Sequence, residues 1–280
     1  MARTKSKRII FYSLIGLVLA LVVFLLFGLQ NDLSRTEYKL DAPAITKPIR
    51  IAILTDLHGQ VYGLQQKDLL AEVEAGNPDL VLLVGDIIDE NMPEEPAWTA
   101  MQNLSSRYPT YYVSGNHEIW TGDVERIKAE IRALGIEVLE GDVHTRTIHG
   151  QSLTLLGLDD PDISEEIYYA QIQEIEAQLP RSERSDFTIL LSHRPEEVFG
   201  MDSLDFDLAI AGHAHGGQWR IPGILPGLFS PNQGMFPDYT SGFYEVGKGK
   251  KLLVSRGLSK DSTRVPRIYN PPEILLLEIY

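Results

Sequence analysis

A series of short, uninterrupted apolar runs, each followed at once by Asp, Asn or His, constrains this chain more than any other feature. Residues 51–55 lead into Asp56, and residues 80–84 lead into Gly85 and Asp86. Runs of this length, rich in Leu and β-branched residues, predict strands buried on both faces of a sheet. Ligands of open α/β sheets bind beyond the carboxyl ends of the strands, so the polar clusters are predicted to meet at one rim.

Helical stretches separate the early strands. Residues 64–75 have apolar side chains at helical spacing, and Asn77-Pro78 then breaks the chain. The alternation continues to about residue 191, and later runs are strand-like, which predicts an α/β sandwich with sheets between helical layers. Further helices are predicted at 97–106, 124–134 and 167–179. Further strands are predicted at 110–113, 137–139, 153–158, 188–191, 208–211, 242–245, 251–255 and 274–279.

The N-terminal segment predicts one transmembrane helix. Residues 9–28 carry no charge over about twenty positions, the length that crosses a bilayer core. A cleaved signal peptide is the alternative, but this run is longer than a typical signal core and no Ala-x-Ala-like site follows it. An uncleaved anchor is therefore expected.

The charges flanking this helix predict its orientation. Arg3, Lys5, Lys7 and Arg8 precede it, so the positive-inside rule places the N-terminus in the cytoplasm and the remainder on the other side. The signal is moderate, because basic residues also follow the span. We expect three parts, a basic tail with a transmembrane helix (1–30), a polar tether (31–48) and one catalytic domain (49–280).

Composition restricts the partners and the metal ligands. The 39 acidic residues against 25 basic ones give a formal net charge of −14, which disfavours a nucleic acid as the main partner. The sequence contains no cysteine. Any metal must therefore be held by nitrogen and oxygen ligands.

Three more polar clusters follow later strands. Asn116 and His117 follow residues 110–113, and His193 follows residues 188–191. His213 and His215 follow residues 208–211. Each alone has an ordinary interpretation as a turn or surface residue. Together they predict a metal site, because carboxylate and imidazole ligands suit zinc, manganese and iron.

The ordered series D-x-H, G-D, G-N-H-E, H and G-H-x-H resembles the motifs of the calcineurin-like metallophosphoesterase superfamily. The residues around His193 and His213 are similar to the bacterial membrane-associated YkuE/YaeI-like branch. The resemblance runs from about Ile51 to the C-terminus. It implies an α/β sandwich of two mixed β-sheets flanked by helices, and hydrolysis of phosphoester or diphosphate bonds.

The resemblance also implies roles for individual residues. It implies two divalent metal ions, Mn²⁺, Zn²⁺ or Fe²⁺, with Asp86 bridging them. The implied ligands are Asp56, His58 and His215 for one ion, and Asn116, His193 and His213 for the other. His117 is implied to be a general acid, with Asp86 expected to orient it and a structural role as the alternative.

The substrate stays open between several readings. Residues 222–237 are apolar and follow the last motif, which is typical either of lipid contact or of packing under a long loop. A phospholipid, a lipid-linked molecule or another cell-envelope phosphoester is expected. The alternatives are an enzyme resembling UDP-2,3-diacylglucosamine diphosphatase, or an inactive metal-binding scaffold at the membrane. Arg194 is interpreted either as a phosphate contact or as half of a structural salt bridge.

Overall fold

The computed structural model describes residues 2–179, 185–247, 249–260 and 265–280. Within these ranges the α-helices are α1 (Ala2–Gly28), α2 (Lys67–Gly76), α3 (Glu95–Ser105), α4 (Asn116–Trp120), α5 (Val124–Ala133) and α6 (Glu165–Gln178). The strands are β1 (Ser34–Leu40), β2 (Ile49–Leu54), β3 (Leu80–Val84), β4 (Thr110–Val113), β5 (Glu137–Val138), β6 (Asp142–Ile148), β7 (Gln151–Gly157), β8 (Phe187–Leu191), β9 (Leu208–Ala211), β10 (Phe229–Ser230), β11 (Gly234–Met235), β12 (Gly242–Gly247), β13 (Lys250–Val254) and β14 (Glu273–Ile279).

Two six-stranded mixed sheets form the body of the domain. The first has the strand order β1-β14-β2-β3-β4-β5, and the second has the order β12-β13-β9-β8-β7-β6. Strands β2 to β5 are parallel to one another, as are β7, β8, β9 and β13. Parallel neighbours align their carboxyl ends, so each sheet offers several strand ends at one edge.

The alternation of side chains along buried strands produces a layered core. In β2, Ile51 and Ile53 face a cluster shared with the second sheet, whereas Ala52 and Leu54 pack with residues of α2, α3 and α5. On the outer face of the second sheet, Leu190 packs with residues of α6. The predicted α/β sandwich of two mixed sheets flanked by helices is confirmed, and the strand ends differ from prediction by a residue or two.

The segment expected to be a tether contains a strand. Strand β1 pairs in parallel with β14 at the edge of the first sheet, from Ser34 beside Glu273 to Leu40 beside Ile279. The polar composition suggested a free linker, but an edge strand needs only one apolar face, and here Tyr38 packs against the core. The part of residues 31–48 that forms β1 therefore belongs to the folded domain. The other domain boundaries stay predictions.

One helix is long and apolar enough to cross a membrane. The stretch Ile10–Gly28 of α1 has a mean hydropathy of 2.9, and within it Gly28, at the end next to the domain, is the buried residue. Its last turns meet the domain at one place. Tyr269 donates its backbone N–H to the Gly28 carbonyl at 2.7 Å, and its ring lies 4.8 Å from that of Phe24.

A buried lysine connects the two sheets next to the predicted site. Lys128 of α5 is 1% exposed and donates to Asp159, at 2.6 Å, and to Glu140, at 2.8 Å. Asp159 in turn accepts from Ser114, the residue that follows β4. The Lys128 ammonium therefore compensates a carboxylate that positions the start of the β4–α4 loop.

Substituting this lysine is expected to destabilise the domain strongly. In Lys128→Met the Asp159 carboxylate stays buried without its cation, which typically costs about 3–5 kcal/mol. Urea unfolding of Lys128→Met and of the exposed control Lys67→Met measures the difference. Equal unfolding free energies for the two variants would show that Asp159 does not depend on Lys128.

Candidate metal centre

The eight predicted site residues all lie at carboxyl ends of parallel strands. Asp56 and His58 follow β2, Asp86 follows β3, and the pair Asn116 and His117 begins α4 directly after β4. The second sheet supplies the others, since His193 follows β8 and His213 and His215 follow β9. The fold brings these loops together, because both sheets direct the same ends of their strands to one side.

Two overlapping groups of side chains meet around Asp86. One contains Asp56, His58, Asp86 and His215, and the other contains Asp86, His193 and His213, with one ligand atom of each residue within 4.8 Å of the others. Asp86 Oδ2 lies 3.0 Å from His193 Nε2 and 3.7 Å from His58 Nε2. A single carboxylate thus stands between two sets of imidazoles, the arrangement that can hold two cations close together.

Several buried polar atoms of the predicted ligands lack partners. Among the residues that the structure describes, Asp56 Oδ2, His58 Nε2 and Asn116 Oδ1 have no hydrogen-bond partner. Asp56 is fully buried, and His58 and Asn116 are each 2% exposed. Unsatisfied buried polar atoms cost free energy, and a cation in the cluster would satisfy them. Oxygen and imidazole nitrogen donors fit a divalent transition metal.

The outward nitrogens of the imidazoles are held by hydrogen bonds. His58 Nδ1 lies 2.7 Å from Asp89 Oδ2, and His193 Nδ1 lies 2.9 Å from the Val84 carbonyl. Both acceptors lack a proton to give, so Nδ1 carries a hydrogen and Nε2 is the nitrogen that a cation in the cluster would bind. His215 Nδ1 is held as well, at 2.9 Å from Ser259 Oγ, a hydroxyl that can donate or accept.

His213 is bound the other way round. Its Nε2 lies 2.9 Å from Asn232 Oδ1, which leaves Nδ1 directed to the cluster. Asn232 belongs to the turn between β10 and β11, so the apolar loop that follows the last motif reaches a predicted ligand. An outer partner of this kind fixes the ring orientation.

The backbone at this rim is strained. Asp56, His58, Asp86, His213 and His215 all have positive φ, between 45° and 63°. Left-handed backbone costs a residue with a side chain roughly 1–2 kcal/mol, and such strain persists where surrounding structure enforces it. The sharp turns direct these side chains back over the strand ends instead of along the next element.

Neighbouring glycines let two loops approach Asp56. A Cβ at Gly212 would lie 2.5 Å from Asp56 Oδ2, and one at Gly257 would lie 2.6 Å from the same atom. The Asp56 carboxylate also accepts the backbone N–H of His213 at 2.9 Å. Any larger residue at either glycine would displace the carboxylate, so both are required for its position.

Glu118 joins the loops that follow β3 and β4. Its buried carboxylate accepts four backbone N–H groups, at 2.6–2.9 Å, from Asp86, Ile87, Ile88 and Gly115. Asp86 Oδ1 accepts the His117 backbone N–H at 2.9 Å and ties the same loops together a second time. Glu118 therefore positions the bridging carboxylate without facing the cluster itself.

The side chain of His117 lies at the edge of the cluster. Its ring is 4.5 Å from that of His58, and it is 19% exposed where the ligand candidates are buried. Its Nδ1 lies 2.7 Å from Glu90 Oε2 and 3.3 Å from Asp89 Oδ2. The expectation that Asp86 orients this imidazole is wrong, because Asp86 binds only the backbone N–H of His117 and Glu90 binds the ring.

Electrostatics within the cluster are dominated by buried charge of both signs. Burial opposes the charged form of Asp86, but the positive charge of His193 outweighs it and holds the Asp86 pKa well below its usual value. Burial likewise acts to lower the pKa of His193, and the Asp86 charge overcomes this and raises it to about 10. Burial and the nearby His193 lower the pKa of His213 to about 3. The carboxylates are thus stable only beside positive charge.

Sequence reasoning missed the residues that support the site from outside. Asp89, Glu90, Asn232 and Ser259 bind predicted site residues, yet they lie in loops whose contacts depend on tertiary structure. Of the two interpretations of Arg194, the structure supports the salt bridge. Its guanidinium makes a bidentate pair with Asp160, with both distances 2.7 Å.

The fold and this cluster define a metallohydrolase of the α/β sandwich class. Residues 49–217 match the family model described as calcineurin-like phosphoesterase. The chain belongs to the calcineurin-like phosphoesterase family, and it is a metal-dependent hydrolase acting on phosphoesters. Enzymes of this family use a dinuclear site of divalent metal ions, and the two groups around Asp86 are candidate ligands for such a site.

Related proteins occur in bacteria and animals. An uncharacterized metallophosphoesterase of Campylobacter jejuni is 30% identical over 275 residues, which cover 94% of this chain and 68% of that protein. One from Helicobacter pylori is 31% identical, covering 87% and 64%. A transmembrane protein with metallophosphoesterase domain from Bos taurus is 28% identical, covering 77% and 49%. The chain spans about half to two thirds of the length of these relatives.

Removing the charge of Glu118 is expected to loosen the site. In Glu118→Gln a neutral amide replaces the carboxylate that accepts four N–H groups, and bonds to a charged acceptor contribute about 1.5–3 kcal/mol each. We expect the metal-free variant to unfold at lower urea and to bind Mn²⁺ more weakly. Glu130→Gln, which alters an exposed i,i+4 pair with Arg126, is the control. Unchanged Mn²⁺ affinity in Glu118→Gln would contradict this role.

Proposed function

We propose that the cluster around Asp86 holds two divalent metal ions and hydrolyses a phosphoester or diphosphate bond in a membrane lipid, a lipid-linked molecule or another cell-envelope substrate. The proposed ligands form two groups that share Asp86 as a bridge, namely Asp56, His58 and His215 for one ion and Asn116, His193 and His213 for the other. The observation that carries this proposal is the set of buried, unpartnered oxygen and nitrogen atoms directed at one volume.

Each protein group has a part that follows from its contacts. Two divalent ions at such a site lower the pKa of water and neutralise charge on phosphoryl oxygens. The side chains of Asp86 and its neighbours would hold those ions at the rim. The hydrogen bonds to Asp89, Val84 and Asn232 keep the imidazoles from rotating when the substrate arrives.

His117 is the proposed general acid. It is the more exposed imidazole of the cluster, and its Nδ1 is held by Glu90, which leaves Nε2 free to give a proton to the leaving oxygen. Glu90 and Asp89 lie beside the Nδ1 side of the ring, at 2.7 Å and 3.3 Å, and hold its orientation. An inactive scaffold would have no use for this arrangement.

The proposed location is the membrane. Helix α1 can cross a bilayer, and the basic residues before it favour a cytoplasmic N-terminus with the catalytic domain on the opposite side. The Bos taurus relative is named as a transmembrane protein. A substrate within or at the membrane surface suits an enzyme anchored beside it.

Metal removal and substitution of the bridge test the dinuclear mechanism. The purified full chain, loaded with Mn²⁺, should hydrolyse bis-p-nitrophenyl phosphate or p-nitrophenyl phosphate. Asp86→Asn and EDTA treatment should each lower the rate more than about a hundredfold, beyond the loss seen for outer partners of metal ligands. Metal analysis should find two ions per chain in the wild type and fewer in Asp86→Asn. Full activity after chelation would exclude this mechanism.

A second experiment tests the proton donor. His117→Asn is expected to lower kcat about a hundredfold with both metal ions retained, because a positioned general acid contributes about 10²–10⁴. The loss should be smaller for an ester with a nitrophenolate leaving group, which needs no proton, than for an alkyl ester. Glu90→Gln should show a weaker form of the same dependence on leaving group. Equal losses for both esters would assign His117 a structural role instead.

A further inference from the structure

The loop between β9 and β12 exposes an unusual amount of apolar surface. Exposed fractions are 80% for Ile224, 47% for Phe229, 58% for Met235 and 66% for Phe236. The sequence from 219 to 236 contains a single charged residue, Arg220. Large contiguous apolar patches on a protein surface mark a site of contact with a membrane or another molecule.

These side chains form one patch with an adjacent segment. Phe229 of β10 lies directly opposite Met235 of β11. Phe229 also lines a cavity of about 250 Å³ together with Trp219 and Val265, which are 38% and 45% exposed. The cavity walls are otherwise mostly apolar, so the patch continues inward rather than ending in polar groups.

The segment that borders the patch is attached to α1. Ile268 forms a bridge with Trp219 and accepts the Arg220 backbone N–H at 2.9 Å. The next residue, Tyr269, donates its backbone N–H to Gly28 and packs its ring on Phe24. A Cβ at Gly28 would lie 2.9 Å from Ile268 and Tyr269, so helix and segment touch closely.

This attachment places the patch near the end of α1, and therefore near the membrane surface if α1 spans the bilayer. Phe24 lies four residues before the end of the apolar stretch at Gly28, which is about 6 Å along a helix at 1.5 Å per residue. The Tyr269 ring, which packs on Phe24, therefore lies about 6 Å inside the end of the apolar stretch. Amphipathic elements at membrane surfaces lie about 5–10 Å into the boundary between headgroups and acyl chains, the same depth.

We propose that the patch formed by Trp219, Phe229, Met235 and Val265, together with the exposed Ile224 of the same loop, inserts into the surface of the bilayer that α1 spans. The occupant is lipid, because the patch is joined to the end of the membrane helix at the depth of the headgroups. Trp219 suits this boundary, since its indole N–H is bonded to the Pro266 carbonyl at 2.9 Å while the ring stays exposed. This inference rests on the membrane span of the proposed function.

Insertion would turn the metal centre toward lipid headgroups. The turn between β10 and β11 carries Asn232, which holds His213, and Gln218 beside the patch lies three residues after His215. The loop that enters the membrane is thus the loop that supports two predicted metal ligands. A phosphoester at the headgroup level would reach the site without leaving the bilayer.

Spin labelling of the full chain tests the insertion. The sequence has no cysteine, so Met235→Cys gives a single nitroxide site. The control is Tyr169→Cys on α6, which is 55% exposed against 58% for Met235. In vesicles of phosphatidylcholine and phosphatidylglycerol in equal parts, we expect the ratio of oxygen to nickel-chelate accessibility to be several-fold higher at position 235 than at position 169.

A second position and an independent readout keep the outcomes separate. Ile224→Cys should show the same several-fold excess, and equal ratios at 224, 235 and 169 would overturn the proposal. The measurement needs no hydrolysis. Buried labels on an inactive chain would contradict the proposed activity but support the insertion. Water-exposed labels on an active chain would support the activity and contradict the insertion.

Discussion

The burial of two carboxylates at the meeting point of two sheets is the constraint on which the rest of the structure depends. Asp56 and Asp86 are almost completely removed from water, and burial of like charges side by side is costly unless positive charge lies between them. The histidines around them supply part of that charge, and metal ions would supply the remainder. Three features keep these carboxylates away from solvent. They are the left-handed turns, the closely packed glycines and the Glu118 carboxylate, which accepts four backbone N–H groups.

The strands and the predicted site residues could be derived from sequence because both leave local signals. An apolar run such as residues 80–84 indicates a buried strand, and a polar cluster after it indicates a rim position whatever the remaining fold is. Strand β1 left no such signal, since an edge strand with one buried face looks like a polar linker. The partners of the imidazoles were missed for a different reason. Glu90 and Asn232 are ordinary loop residues until tertiary contacts bring them to His117 and His213.

The residues that support the site lie at increasing distances from the cluster and have increasingly indirect effects on it. The innermost atoms are the unpartnered nitrogens and oxygens, and next are the groups that orient them, such as Asp89 on His58. Further out, Lys128 and Asp159 join α5 to the loop before Asn116, although neither faces the cluster. Asp89, Lys128 and Asp159 are themselves buried, so a change at any of them reaches the cluster through packed contacts instead of being absorbed by solvent.

The start of β1 sets a limit on motion. Only residues 29–33 separate the end of α1 from β1, and five extended residues span at most about 17 Å. The domain therefore cannot move far from the end of α1, and with α1 in a bilayer it would stay close to the membrane surface. For the membrane substrate proposed above, encounter would become a search in two dimensions, in which lateral diffusion of both molecules sets the rate.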